Sequence, residues 1–109
     1  MTIKLAGPVK RALLPVILGR MRDEPVIALA GARAVGKSTL LRAIAARHDV
    51  PVIDLDDAET RASVAADPAV FASAPGPVCV DEYQHVPEIL DAIKAELNRD
   101  SRPGRFVLT

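Results

Sequence analysis

The apolar positions of this chain gather into four short runs: Val26 to Ala30, Val52 to Leu55, Val78 to Val80 leading into Asp81, and Phe106 to Thr109. Each is only a few residues long and bounded by proline, glycine or charged residues, as expected of strands buried within a sheet. Between the runs the apolar spacing becomes helical. Residues Lys37 to Arg47 put Leu40, Leu41 and Ile44 on one face. A helix opening near Pro87 puts Ile89, Leu90, Ile93 and Leu97 inward and turns Asp91, Lys94 and Glu96 toward water. Asp56 or Asp57 is suited to cap a helix running through Val64, and Asp67 with Pro68 to open a short one through Phe71. Strand and helix alternate, which predicts an α/β fold: a mostly parallel sheet with helices on its faces.

Ahead of the first run, residues 1–24 read as an N-terminal helical segment around "KRALLPVILGRMR". Its apolar stretch contains Pro15, is followed by Arg20 and Arg22, and is far shorter than the roughly 20 residues of a membrane span. A chain of 109 residues holds about one domain and is short for a complete α/β enzyme. The 14 basic and 14 acidic residues cancel, leaving no bulk electrostatic attraction to nucleic acid or an anionic membrane. The one cysteine, Cys79, excludes an internal disulfide and reads as a small buried hydrophobe in a reducing compartment, which points to the cytoplasm. One cysteine and scattered histidines leave no zinc site in view.

The first candidate chemistry lies in "VIALAGARAVGKSTLL". Gly31, Gly36, Lys37 and Ser38 fit G-x-x-x-x-G-K-[ST] directly after a strand and at the opening of a helix, the context in which that spacing acts as a phosphate cradle. Glycine lets the backbone fold around phosphate oxygens and present successive N–H groups beside the positive end of the helix. The expected nucleotide-binding residues are Gly31, Ala32, Arg33, Ala34, Val35, Gly36, Lys37, Ser38 and Thr39. Lys37 brings a point charge to the β- and γ-phosphates and Ser38 a hydroxyl to magnesium.

A second, independent signal is "VCVDEYQH", an apolar strand ending in adjacent carboxylates. Asp81 is the expected magnesium holder and Glu82 the residue that orients or deprotonates the attacking water, so Glu82 and Lys37 are the catalytic candidates. Two neighbouring carboxylates repel one another, which a nearby cation relieves. A GTPase wants glycine three positions after the aspartate, where Gln84 stands, and an Asn-Lys-x-Asp base reader that this chain lacks. A small-molecule kinase needs no glutamate at position 82. The pair therefore favours a hydrolytic ATPase. Gln84, and less strongly His85, is a candidate for placing water or sensing the γ-phosphate. His48 reads as a charge at a helix C-terminus, and Asp54, Asp56 and Asp57 read as helix-capping residues.

In these segments the chain resembles the N-terminal part of the AAA-type ATPases of bacteria and archaea whose core is joined to a C-terminal domain of unknown function. "GARAVGKSTLL", "LDDAETR" followed by "DPAVF", "VDEYQHVPEILDAIK" and "RFVLT" carry the resemblance, over most of the chain from about Pro25 to Thr109. The family's loop generally reads Gly-Pro-Arg-Gln-Val-Gly-Lys-Thr, so Ala32, Ala34 and Ser38 depart from it mildly, as does Tyr83 where isoleucine is usual. The resemblance implies a P-loop NTPase-like three-layer αβα fold, truncated after about the fourth strand, with that strand between the cradle strand and the carboxylate strand. It makes Thr109 a candidate γ-phosphate sensor. It also implies that the strand normally covering the other edge of the cradle strand is missing, leaving an open edge for self-association or a complementing chain.

These readings give ATP and Mg²⁺ as ligands and ATP hydrolysis as the leading function, weakened by loss of any later arginine finger. The alternative is a nucleotide-binding module, or truncated remnant, without useful turnover and completed by another chain. A third reading, DNA or partner binding through the N-terminal helix, has the zero net charge and scarcity of aromatics against it.

Overall fold

The computed structural model describes residues 1–4, 13–31 and 36–109. Along the chain run β1 (Thr2–Lys4), α1 (Leu13–Arg20), β2 (Val26–Ala30), α2 (Lys37–Arg47), β3 (Val52–Asp54), α3 (Ala58–Ala66), α4 (Pro68–Ala72), β4 (Val78–Asp81), α5 (Glu88–Arg99) and β5 (Phe106–Leu108). The strands form one sheet in the order β1-β2-β5-β4-β3, and every pairing is parallel. The expected α/β fold is present, with β5 between β2 and β4 as anticipated.

Side-chain alternation along the central strands divides the interior in two. On β4 and β5, Cys79 and Val107 point toward α1 and α2, where they join Ile17, Met21, Leu40, Leu41 and Ile44. Their neighbours Val78, Val80, Phe106 and Leu108 point to the opposite face, against Val64 of α3, Ala72 of α4, and Ile89 and Ile93 of α5. A strand buried on both faces must be apolar throughout, which is why β4 and β5 read as continuous runs. Cys79 is fully buried, and burial pushes its thiol up to about 11.

The N-terminus departs from expectation. Residues 1–24 are not one helical segment, because Thr2–Lys4 form a strand beside β2, with Thr2 opposite Ala28 and Lys4 opposite Ala30. The Met1 ammonium donates to the Val26 carbonyl at 2.7 Å, and the Ala28 N–H donates to the Met1 carbonyl at 2.8 Å. The described sheet thus has five strands rather than four, and the edge of β2 expected to be open is covered.

Other boundaries move slightly. Asp57, not Asp56, caps α3, its carboxylate accepting from the Thr60 N–H at 2.9 Å, and Asp67 caps α4. Pro87 is the residue before α5 rather than its first. Leu90, expected inside, is 37% exposed, while Glu96, expected in water, pairs with the buried Arg105 at 3.2 Å. His48 ends α2 as expected, its ring Nδ1 lying 3.0 Å from the Ile44 carbonyl oxygen. Among the described residues no helix is long and apolar enough to cross a membrane.

Candidate functional site

Parallel strands send all their C-terminal ends to one edge of the sheet, so β2, β5 and β4 deliver Gly31, Thr109 and Asp81 side by side. Two strand spacings, about 10 Å, separate the end of β2 from that of β4. Side-chain parity sets direction as well. Asp81 and Thr109 each follow Cys79 and Val107 by two residues, so both turn toward the α2 side of the sheet.

The cradle residues described here are Gly31, Gly36, Lys37, Ser38 and Thr39; Ala32, Arg33, Ala34 and Val35 lie outside the described residues. Gly31 has φ 149° and Gly36 has φ 80° with ψ 31°, conformations that a side chain resists. Gly36 precedes Lys37, the first residue of α2, and no side chain caps this helix. The first-turn N–H groups of Lys37, Ser38 and Thr39 have no intrahelical acceptor, and they sit at the positive end of the helix. Arg42 reaches back to the Thr39 hydroxyl at 3.4 Å.

Asp81 ends β4 only 7% exposed, and its Oδ1 is buried with no hydrogen-bond partner among the described residues; the Thr109 Oγ1 is in the same condition. Buried polar atoms are rarely left so, and two of them at the sheet edge that carries Gly31 fit a ligand-borne partner. Among the described residues no group of three or more His, Cys, Asp or Glu side chains is arranged to hold a metal by itself. Magnesium suits that arrangement, since it keeps several waters and commonly binds through one or two carboxylates together with substrate phosphates.

Glu82 leaves the strand in the left-handed region, with φ 58° and ψ 48°, and opens a 3₁₀ turn over Tyr83–His85. The Gln84 side-chain amide donates to Glu82 Oε2. The His85 ring lies 3.4 Å from Asp56 Oδ1, bridging the segments after β4 and β3. The His85–Asp56 contact has no signal in the sequence, because the two residues are 29 positions apart. Asp54 stands opposite Asp81 in the β3–β4 register, but it is exposed and its Oδ1 accepts the Asp56 N–H at 3.0 Å, which closes a turn ahead of α3 rather than capping that helix, a role that falls to Asp57.

The signature of the AAA domain family matches residues 23–109, most of the chain and all of the sheet edge just described. The chain belongs to that family. AAA domain membership makes it a P-loop nucleotide-binding domain, in keeping with a glycine-bounded loop that opens a helix. Two relatives are an uncharacterised protein of Mycobacterium bovis and one of Mycobacterium tuberculosis, each 28% identical over 89 residues. The match covers 81% of this AAA domain chain and 20% of each relative, so the chain spans about a fifth of the length of the curated relatives it matches. No solved structure matches it.

Proposed function

We propose that this domain binds Mg-ATP and hydrolyses it. The observation that carries the proposal is the pair of buried oxygens, Asp81 Oδ1 and Thr109 Oγ1, without partners among the described residues, on the α2 side of the edge that β2 leaves at Gly31. A site that leaves a carboxylate oxygen and a hydroxyl buried without partners is complete only when something polar fills it.

In this reading the N–H groups at the start of α2 take the β-phosphate oxygens and Lys37 balances charge on the β- and γ-phosphates. Ser38 and Asp81 would hold the magnesium, and the ion, when bound, neutralises charge developing on the phosphate oxygens. Glu82 accepts a proton from water as the water oxygen attacks the γ-phosphorus and the bond to the ADP oxygen breaks. Thr109 offers its hydroxyl to the γ-phosphate or the water beside it.

Thermal unfolding with and without Mg-ATP tests binding. Ligand at about 100 times its dissociation constant stabilises a folded site by roughly 2.7 kcal/mol. A domain of this size then melts higher by about 4 to 8 °C per kcal/mol. Lys37→Ala should abolish the shift. Phosphate release tests turnover: Glu82→Gln should bind but not hydrolyse. A wild type that binds and never releases phosphate above background would reduce the domain to a nucleotide-binding module.

A further inference from the structure

A general base must hold one geometry, and glutamate, with three side-chain torsions, does not do so unaided. The backbone at Glu82 is well fixed. Its left-handed conformation breaks the strand alternation that would send its side chain to the face opposite Asp81. The Tyr83 N–H bonds the Thr109 carbonyl at 3.1 Å, the His85 N–H bonds the Glu82 carbonyl at 3.2 Å, and the Val86 N–H bonds the Tyr83 carbonyl at 3.1 Å. These bonds secure the main chain and leave the carboxylate to be placed by other groups.

We propose that Gln84 is a positioning residue of this site, its side-chain amide helping to fix the Glu82 carboxylate in the orientation that receives the proton from water. The 3₁₀ turn brings residue 84 back over residue 82, and the amide N–H meets Oε2 directly. Asparagine at this position is one methylene too short, glutamate repels, and leucine has no donor. Gln84 touches no reacting atom in this role; it acts through Glu82. The role rests on the hydrolytic function proposed above.

Gln84→Leu keeps the bulk and removes the donor. It should lower kcat for phosphate release by about 10- to 100-fold, as expected when a reacting group is misplaced by about an ångström, while the dissociation constant for Mg-ATP stays within about twofold of the wild type. A Gln84→Leu chain that weakens Mg-ATP binding instead of turnover, or that releases phosphate at the wild-type rate, overturns the proposal. If the wild type releases no phosphate, the hydrolytic function fails, and the contact is judged by nitrogen-15 NMR of the Mg-ADP complex. There the Gln84 side-chain amide signals should move on Glu82→Ala, and signals that stay in place overturn the proposal.

Discussion

The Tyr83 N–H donates to the Thr109 carbonyl oxygen at 3.1 Å, so the turn carrying Glu82 is tied to the end of β5. The same threonine presents a buried Oγ1 without a partner among the described residues. Thr109→Val keeps the shape and the backbone bond and removes that hydroxyl. The unliganded chain should become more stable by about 1 kcal/mol, since a buried unsatisfied group is costly. Its response to Mg-ATP should shrink. Melting curves with and without nucleotide measure both, and a destabilised unliganded variant would show that the hydroxyl has a partner in the free protein.

Removing residues 1–4 strips β1 from β2. Loss of the Met1–Val26 and Met1–Ala28 bonds alone should cost about 2 kcal/mol at roughly 1 kcal/mol each. The uncovered edge of β2 then offers unpaired backbone groups to other copies. Sedimentation at increasing concentration should show association by the shortened chain and none by the full one.

The cradle and the carboxylate strand were legible in the sequence because their signals are local: glycine spacing, a lysine, a hydroxyl, and a strand ending in two acids. β1 was not, since three residues become a strand only by meeting β2, which lies 24 positions later at Val26. Glu96 was misjudged for a similar reason. Helical periodicity turned it toward water, but Arg105 arrives from beyond the helix and closes over it, donating to Glu96 at 3.2 Å and to the Asp100 carbonyl at 2.9 Å. Leu90 sits beside the inward stripe of Ile89 and Ile93, and periodicity alone did not mark where that stripe ends. The choice between Asp56 and Asp57 required the extended backbone of Asp57, φ −76° and ψ 122°, which frees its carboxylate to reach Thr60.

Arg105 is 5% exposed and its partner Glu96 13%. Arg105→Met should cost about 3 kcal/mol, the lower end of what breaking a buried pair costs, because Arg99 still reaches the other Glu96 oxygen at 3.2 Å. Glu96→Gln, which keeps an acceptor for the guanidinium, should cost less. Urea unfolding ranks the two, and the reverse order would mean that Arg105 matters chiefly as packing over the Phe106 ring, 5.1 Å away.

The Thr60 backbone N–H, followed by its hydroxyl, holds the Asp57 carboxyl below the ordinary carboxylate value. A depressed folded value means that the ionised cap adds stability above the unfolded value, about pH 3.9, and that this contribution fades as pH falls below it. The melting temperature gap between wild type and Asp57→Ala should therefore be full at neutral pH and narrow below about pH 4. A gap independent of pH would show that the charge of the cap is immaterial.

The strand order has a kinetic meaning. β2 and β4 do not pair with each other; both pair with β5, the last of the described strands. As the chain leaves a ribosome, the cradle strand and the carboxylate strand therefore stay unjoined until residues 106–108 emerge. Closing those distant pairings should make folding slower than the small size implies. The edge on which the proposed phosphate site depends is therefore joined only when β5 arrives, so nucleotide should not be captured by a nascent chain that has not reached residue 108.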